Sequence, residues 1–380
     1  MITNIALTGF KCYASHTEFP LSQVCVLTGL NGRGKSTLIQ AILTIAQSLT
    51  KSGLSDLVLD GELVNLGLYE DVLTRGSLSG EIVIGFQTDD KVDKEIELTL
   101  IKDKTSSDRA LFSRFLVDGA DRVTEMGLMT SDNKQLLDQG DHRLVVKGLG
   151  STSDIVSWHN FRNASYVSAD RQGPVNRMRY TPQLGKPHLD IHGSNLLNVL
   201  QAMSDEQREA VRMAMSKILR GGSLQVSRDN EDVVLSLDSN DAGAPFKPTN
   251  VGYGYGYILS TLVALELAEA SSLFVIENPE AHLHPGAHVA LTEHLLEKTM
   301  KKSLQLIVET HSDHIINTCL VSVKKEQIKP TDFSLLFFSR EDGMPSGVLQ
   351  LEVTAQGRVV APPEDFCDQI DKSLEFLVGF

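Results

Sequence analysis

Long apolar runs are missing from this chain of 380 residues. No stretch approaches the roughly 20 consecutive apolar residues of a membrane-spanning helix, and the N-terminus lacks the basic-then-apolar order of a signal peptide. Cysteine is also scarce, because only four are present and none has C-x-x-C spacing. That pattern argues against disulfides and against a zinc site. We therefore expect a cytoplasmic protein without a membrane segment.

Positively charged residues are fewer than negatively charged ones. The chain has 35 Lys and Arg residues against 49 Asp and Glu residues, for a net charge of −14. Proteins that bind DNA without sequence preference usually present a basic surface, so the overall charge argues against that class. Local basic pairs such as Arg177/Arg179 and Lys324/Lys325 suit a phosphate backbone, but we expect them on a solvated face.

One stretch has the order strand, glycine-rich turn, helix. Residues 23–28 are rich in β-branched side chains, which is typical of a buried strand. The sequence GLNGRGKS at residues 29–36 then matches the phosphate-binding pattern G-x-x-x-x-G-K-[ST]. Apolar residues recur after it at helical spacing. A chance match is disfavoured because the pattern stands between a strand and an amphipathic helix.

This stretch predicts a nucleotide site built largely from backbone groups. Glycine accepts backbone angles that strain other residues, and N–H groups at a helix N-terminus attract phosphate oxygens. A lysine there reaches the β and γ phosphates, and the next hydroxyl suits Mg²⁺. The predicted cofactors are therefore ATP and Mg²⁺. The predicted nucleotide-binding residues are Asn31, Gly32, Arg33, Gly34, Lys35, Ser36 and Thr37, with Ser36 also a metal ligand.

Two further apolar strands are expected to end in polar groups. Residues 273–276 are followed by Glu277, a second acid of the kind that a P-loop needs to hold Mg²⁺. Residues 304–308 are followed shortly by His311, which suits a hydrogen bond to a γ-phosphate or to an attacking water. Ligands of open α/β sheets bind at the carboxyl ends of strands, so we expect both side chains near the phosphates.

Alternating glycines precede a predicted apolar helix that begins at Ile258. They are Gly252, Gly254 and Gly256, within NVGYGYGY at residues 250–257. Glycines at a helix start suit the close approach of a phosphate. A flexible turn without a ligand is the competing interpretation.

The order of the predicted elements indicates an α/β fold. Apolar strands alternate with helices in the second half, which is typical of a mostly parallel sheet flanked by helices. A predicted strand at residues 2–8, turned by residues 9–11 towards a second strand before Val24, favours an antiparallel N-terminal sheet, and residues 81–86 and 94–101 are predicted to be paired strands. Residues 102–153 are polar, and we expect an inserted α/β or loop-rich region of irregular structure there.

The motifs together resemble a known group. GLNGRGKST, NVGYGYGYIL, LFVIENPEAHLHP and IVETHSDHIIN, in that order, are similar to the ABC-type ATPases of the OLD, RecF and SMC group. SDLVLDGELVNLGLYEDVL and YVSADRQGP are also similar to that group, and GRVVAPPEDFCDQ fits its compact bacterial members with a short tail domain. The nearest named relatives are the PtuA antiphage-defence ATPases of Septu and retron systems. The resemblance covers most of the chain outside residues 102–153.

The resemblance implies an ABC-type P-loop NTPase head and a dimer. The head would cover residues 1–330, interrupted by 102–153, and closing strands with a tail helix would follow at 331–380. Two heads, or more in a higher oligomer, would associate head to tail around ATP. Each nucleotide would lie between the P-loop of one subunit and the signature segment of the other. That segment comprises Asn250, Gly252, Gly254 and Gly256.

The resemblance also assigns roles by position. Glu277 takes the Walker B metal-ligand position and His311 the switch-histidine position. Asp71 lies where a Q-loop group reaches the metal. The predicted metal ligands are thus Ser36, Glu277 and Asp71.

Two positions depart from the pattern of the group. Asn278 stands where a catalytic glutamate is usual, and an amide cannot act as a general base. Either Glu280 substitutes for it or hydrolysis is slow, so the predicted catalytic residues are Glu280, His311 and Asn278. Gly256 stands where related signatures often have Ser, which removes a phosphate hydrogen bond worth roughly 1.5–3 kcal/mol. Both departures favour a slow ATPase.

We therefore expect an ATPase that assembles around ATP and gates a partner effector. No nuclease motif is found in the chain, so the effector would be a nuclease from a neighbouring gene in a bacterial antiphage defence system. Nucleic acid would be reached through that complex. One alternative is a RecF-like repair or maintenance ATPase that binds DNA directly. The other is a scaffold that binds ATP without hydrolysing it.

Overall fold

The computed structural model describes residues 1–49, 54, 56–103, 109–121, 155–173, 175–182, 185–238, 246–250, 253–339, 347–364, 366–367 and 376–377. The chain divides into two compact units. Unit 1 consists of Met1–Ala164, Thr331–Glu352 and Ala361–Lys372. Unit 2 consists of Ser165–Pro330, Val353–Val360 and Ser373–Phe380.

The strands and helices are numbered along the chain. The strands are β1 Ile2–Thr8, β2 Thr17–Pro20, β3 Val24–Gly29, β4 Leu57–Val58, β5 Ile82–Thr88, β6 Glu95–Lys102, β7 Arg109–Val117, β8 Ala120–Asp121, β9 Ser165–Val167, β10 Arg177–Arg179, β11 Ser223–Asp229, β12 Asp232–Asp238, β13 Leu273–Glu277, β14 Gln305–Glu309, β15 Phe333–Ser339 and β16 Gly347–Leu351. The helices are α1 Lys35–Ser48, α2 Tyr69–Val72, α3 Leu196–Ala202, α4 Asp205–Leu219, α5 Tyr253–Leu267, α6 Pro285–Lys302 and α7 Asp313–Lys324.

Unit 1 contains an antiparallel sheet with the strand order β2-β1-β5-β6-β7-β4, and β8 pairs with β7. Within it, β1 and β5 pair antiparallel from Thr8↔Val83 to Ile2↔Thr88 with one irregularity. Alternate residues of β1 are buried, since Ile2, Ile5 and Leu7 have no exposed surface. The prediction of an antiparallel N-terminal sheet is confirmed.

Strand β7 lies where we expected irregular structure. It pairs antiparallel with β6 from Ile96↔Val117 to Lys102↔Ala110. Alternating apolar residues explain it, because Ala110, Phe112, Phe115 and Val117 are buried while their neighbours are more exposed. The polar composition of the longer region concealed this short period-2 pattern. The remainder of the region, residues 122–153, lies outside the described residues.

The core of unit 1 includes an aromatic cluster around the single tryptophan. Trp158 has no exposed surface, and its ring lies 5.5 Å from that of Phe86 and 6.2 Å from that of Phe115. Phe161 meets Phe86 edge to face at 4.8 Å. Such pairs each add about 0.5–1.5 kcal/mol beyond the burial of their area, so the cluster ties residues 156–160 to the sheet.

Strand β3 of unit 1 carries the P-loop at its end. It pairs in parallel with β15, with Val24↔Phe333 and Gly29↔Phe338 in register. In turn β15 pairs antiparallel with β16. Residues 24–28 are buried throughout, as expected of a central strand covered on both faces.

Unit 2 contains three parallel strands in the order β9-β13-β14. Glu277 and Glu309 end their strands in register, so the polar segments that follow both strands begin side by side. This arrangement agrees with the expectation for residues 273–276 and 304–308. Helices α6 and α7 contact each other, as do α4 and α5, and β10, β12 and β11 form a separate antiparallel sheet.

Local interactions define both ends of α4 in unit 2. Ser204 and Gln207 form a reciprocal capping box at the start of α4, with the Gln207 N–H donating to Ser204 Oγ at 3.2 Å. The helix ends at Arg220 in the left-handed conformation with φ 55°.

Among the described residues, no helix combines the length and the apolar character that a membrane span requires.

Candidate functional site

The P-loop depends on three glycines with positive φ. Gly29, Gly32 and Gly34 have φ values of 117°, 69° and 103°, which side chains with a Cβ rarely adopt. Space adds a second requirement, because a Cβ on Gly29 would lie 2.3 Å from the Phe338 carbonyl oxygen. A Cβ on Gly34 would lie 2.1 Å from the Tyr13 hydroxyl.

The N-terminus of α1 is built to receive an anion. Gly34 is its N-cap, so within the described chain no side chain caps the first N–H groups and no acidic side chain stands in the first turn. The space around a Cβ placed on Gly32 is open to 4 Å, and Asn31, Gly32 and Ser36 are exposed. N–H groups at a helix N-terminus and the helix dipole both favour phosphate. These residues therefore fit the phosphates of a nucleotide.

Lys35 folds back over the loop that precedes it. Its side-chain Nζ donates to the carbonyl oxygens of Gly29 at 3.0 Å and Leu30 at 2.9 Å, and the residue is only 3% exposed. The ammonium group is thus held against the loop by backbone acceptors. The neighbouring Thr37 hydroxyl lies 3.7 Å from Cys12 Sγ.

Glu277 occupies the end of β13 in unit 2. Its Oε2 accepts a hydrogen bond from the Ala169 N–H at 3.3 Å. Burial raises the pKa of this carboxyl group above its usual value, while the Ala169 N–H, Tyr166 and Arg171 oppose that shift. A carboxylate oxygen is the ligand type that Mg²⁺ prefers, so Glu277 fits a metal-ligand role.

Asn278 turns the chain immediately after the acid. Its φ is 43°, and its backbone N–H donates to the Glu309 carbonyl at 2.8 Å. The side-chain Oδ1 is buried and has no hydrogen-bond partner within the described part of the chain. Residues 277–280 are called the acid turn below.

Glu280 connects the acid turn to the segment that carries His311. Its Oε1 accepts hydrogen bonds from the Thr310 hydroxyl at 2.7 Å and from the His311 N–H at 2.9 Å. The other oxygen, Oε2, is buried without a hydrogen-bond partner among the residues described. Two of the predicted catalytic residues are thereby brought together, and Thr310 joins them as a residue that the sequence did not single out.

Arg171 is a further site residue that sequence reasoning missed. It is 3% exposed, and its Nη1 donates to the carbonyls of Ser168 at 2.9 Å and Glu277 at 2.8 Å. Its Nη2 donates to the Asn278 carbonyl at 2.7 Å. A charged residue just after a strand was the available signal, but a single sequence does not say that this arginine points inward.

The signature segment differs from the expectation in its secondary structure. Helix α5 begins at Tyr253 and not at Ile258, so Gly254 and Gly256 lie within its first turns. Asn250 ends a 3-10 turn that precedes the helix. Gly252 lies outside the described residues. A Cβ on Gly254 would lie 2.8 Å from the His282 carbonyl oxygen. Close packing therefore explains why a residue without a side chain stands at this position.

Asp71 has a local structural role in unit 1. Its Oδ2 accepts a hydrogen bond from the Leu68 N–H at 2.8 Å, across the first turn of the short helix α2. Carboxylates commonly cap helices in this way. Its assignment as a metal ligand stays a prediction.

The chain has an α/β fold with a P-loop, and this fold is similar to that of ABC-type P-loop ATPase heads. The chain belongs to the family described as "AAA domain, putative AbiEii toxin, Type IV TA system", whose model matches residues 24–317. A comparison with curated proteins gives no match. The findings do not bear out a particular relation to PtuA.

Three of the similar solved structures are SMC heads, and the match with a TM-score above 0.5 supports the fold. One is an Smc head bound to the C-terminal winged-helix domain of ScpA, with a TM-score of 0.51 and 14% identity over 92% of this chain and 97% of that one. The SMC head domain from Thermotoga maritima matches with a TM-score of 0.47 and 15% identity, covering 93% of this chain and 99% of the other. The Smc head from Pyrococcus furiosus, bound to the C-terminal domain of ScpA, matches with a TM-score of 0.47 and 13% identity, covering 100% and 98%.

Proposed function

We propose that this protein binds Mg²⁺ and ATP and hydrolyses the nucleotide slowly. The observation that carries the proposal is the P-loop itself: three left-handed glycines open the N-terminus of α1, and Lys35 is held against the loop. In this proposal the loop N–H groups and Lys35 bind the β and γ phosphates. Ser36 and Glu277 hold Mg²⁺, which when bound neutralises phosphate charge.

The acid turn supports slow turnover in particular. Asn278 supplies an amide where a base is needed, and an amide cannot take a proton from water. Glu280 is the carboxylate in the same turn, and its unpaired Oε2 is suited to accept that proton while Oε1 holds the His311 segment. His311 then completes the group that surrounds the attacking water.

We further propose that the protein acts in the cytoplasm as a head-to-tail dimer or higher oligomer that gates an effector. The family description names a toxin of a toxin–antitoxin system, and two of the similar Smc heads are bound to a ScpA domain. A head that changes its association with ATP suits control of a second protein. A nuclease from a neighbouring gene is the effector that we propose, in antiphage defence.

Direct DNA binding is less well supported by the charges. Arg177 donates to Asp229 and Asp232, and Arg179 donates to Glu231. These arginines therefore face acidic partners on the same hairpin, and the basic pair does not offer a free cationic patch. DNA-stimulated hydrolysis together with a mobility shift at physiological salt would reverse this preference.

The substitution Lys35→Ala tests nucleotide binding. Losing a hydrogen bond to a charged group costs about 1.5–3 kcal/mol, so we expect a fluorescent ATP analogue to bind roughly 10- to 100-fold more weakly. Phosphate release in a single turnover should fall with it. Lys186→Ala is the matched control, because Lys186 is exposed and pairs only with Glu269 among the contacts seen. Unchanged affinity in Lys35→Ala would refute the proposed site.

A further inference from the structure

Arg171 braces the acid turn through its backbone. The guanidinium group joins three carbonyl oxygens, those of Ser168, Glu277 and Asn278, at 2.7–2.9 Å. Its planar fork has a fixed geometry that a lysine lacks. Two of the three acceptors belong to the two peptide units that flank the Asn278 Cα, so the fork holds the backbone that orients Glu277.

The acid turn needs such support. Asn278 has φ 43°, a left-handed conformation that costs energy for a residue with a Cβ and persists only where the surroundings enforce it. The Asn278 N–H is held by the Glu309 carbonyl on the next strand. The carbonyl side of the same turn is held by Arg171. Together the two contacts fix the direction in which the Glu277 side chain leaves β13.

Arg171 also contacts helix α5. The centre of its guanidinium group lies 5.8 Å from the ring centroid of Tyr257, a distance at which a cation and an aromatic face attract. The same ring lies 4.4 Å from the ring of His282, which follows the acid turn. Tyr257 thus contacts both Arg171 and the segment that follows the acid turn.

We propose that Arg171 is a positioning residue that sets Glu277 for Mg²⁺ and links α5 to the acid turn through Tyr257. The proposal rests on the proposed function, since it assigns the support of a metal ligand in that site. Arg171 touches neither nucleotide nor metal in this account. Its effect on Mg²⁺ passes through the backbone of residues 277–278.

The test is the Mg²⁺ affinity of the protein with a fluorescent ATP analogue bound, measured without turnover. Outer groups that orient a metal ligand typically contribute 10- to 100-fold in metal affinity. We expect Arg171→Gln to raise the half-saturating Mg²⁺ concentration about tenfold or more. Arg171→Lys should fall between this variant and the parent. Nucleotide affinity in EDTA should change less than about twofold, because the P-loop is untouched.

A matched control and a second variant separate positioning from folding. Arg179→Gln removes an exposed arginine of the same unit and should leave the Mg²⁺ titration unchanged. Tyr257→Leu should shift the Mg²⁺ midpoint in the same direction as Arg171→Gln by a smaller factor, and it serves alone if Arg171→Gln does not fold.

Two results would overturn the inference. The first is a parental Mg²⁺ midpoint in a folded Arg171→Gln or Tyr257→Leu variant. The second is a loss of binding in EDTA that equals the loss in Mg²⁺, which would indicate general damage. If the proposed function itself were wrong, Lys35→Ala would bind nucleotide as tightly as the parent. That result is distinct from the two results that would overturn the role of Arg171.

Discussion

At the scale of single residues, the Glu280 carboxylate has two distinguishable tasks. One oxygen accepts from Thr310 and His311, and the other is buried without a partner among the described residues. The first task needs only an acceptor oxygen, which an amide also provides. The second needs a group that can take up a proton. Glutamine therefore keeps the first and abolishes the second.

This separation leads to a prediction for Glu280→Gln and Glu280→Ala. If Oε2 accepts the proton from water, Glu280→Gln should slow single-turnover hydrolysis by about 100-fold or more while ATP affinity is kept. Glu280→Ala should lose at least as much and also weaken the His311 segment. Phosphate release and binding of a fluorescent nucleotide are measured in parallel. Near-parental hydrolysis in Glu280→Gln would leave Glu280 a positioning role only.

At the scale of elements, helix α6 carries a histidine whose charge the fold opposes. Burial lowers the pKa of His294 to about 4, and Lys298 adds to the effect. An unfolded histidine has a pKa near 6.5. The folded state therefore binds fewer protons than the unfolded state between about pH 6.5 and pH 4, and its stability falls as the pH falls through that range.

We expect His294→Gln to reduce this pH dependence. The histidine contributes at most about 3 kcal/mol at the acid end of the range, and water reaching the half-buried ring makes the effect smaller. Urea midpoints are compared at pH 7 and pH 5 for the parent, His294→Gln and the control His16→Gln, whose ring is exposed. The predicted quantity is the difference between the urea midpoints at pH 7 and pH 5, which should be smaller for His294→Gln than for the parent. An equal change in all three proteins would contradict it.

The end of helix α5 depends on a lysine from α6. Lys302 Nζ donates to the carbonyls of Leu265 at 3.1 Å, Glu266 at 2.6 Å and Ala268 at 2.9 Å. At the C-terminus of a helix, no further turn supplies N–H groups to these carbonyls. A cation at this end also interacts favourably with the helix dipole.

Lys302→Met should therefore destabilise the protein by about 1–2 kcal/mol. The neighbouring Lys301→Met provides the control, because Lys301 is exposed. Thermal unfolding followed by far-ultraviolet circular dichroism compares the two variants with the parent. If both melt at the parental temperature, the cap contributes nothing measurable to stability.

At the scale of the whole molecule, the proposed head-to-tail association would share each ATP site between two copies. A head-to-tail pair has two equivalent sites, each with the P-loop of one copy and the signature segment of the other. A P-loop defect in one copy and a signature defect in the other copy therefore fall on the same site and leave the second site of the pair intact. Asn250 suits the second defect, since it is exposed and precedes α5.

Mixing two inactive variants should restore hydrolysis. Lys35→Ala removes the phosphate charge partner, and Asn250→Asp places a negative charge opposite the phosphate. In an equal mixture half of the pairs are mixed and each mixed pair has one intact site, so about a quarter of the parental activity is expected. Sedimentation with and without ATP shows whether pairs form. Activity that never exceeds that of the separate variants would contradict shared sites.

The sequence by itself determined the elements whose cause is local. The glycines of the P-loop are needed for backbone angles, and the Ser204 capping box acts within one turn. The buried strands β3, β13 and β14 follow from short apolar runs, because a strand covered on both faces excludes polar residues. Their order along the chain also carried the resemblance to ABC-type ATPases, which the family match over residues 24–317 supports, while the relation to PtuA is not borne out.

Tertiary structure alone decided which distant groups meet. Arg171 donates to the carbonyls of Glu277 and Asn278, which are 106 and 107 positions further along the chain, and Glu280 accepts from Thr310 and His311. Within α5, Gly254 lies so close to the His282 segment that a Cβ there would be 2.8 Å from the His282 carbonyl oxygen. β7 likewise owes its place to pairing with β6. A contact between remote residues depends on how strands and helices are arranged in space, and composition or spacing within one segment does not encode that arrangement.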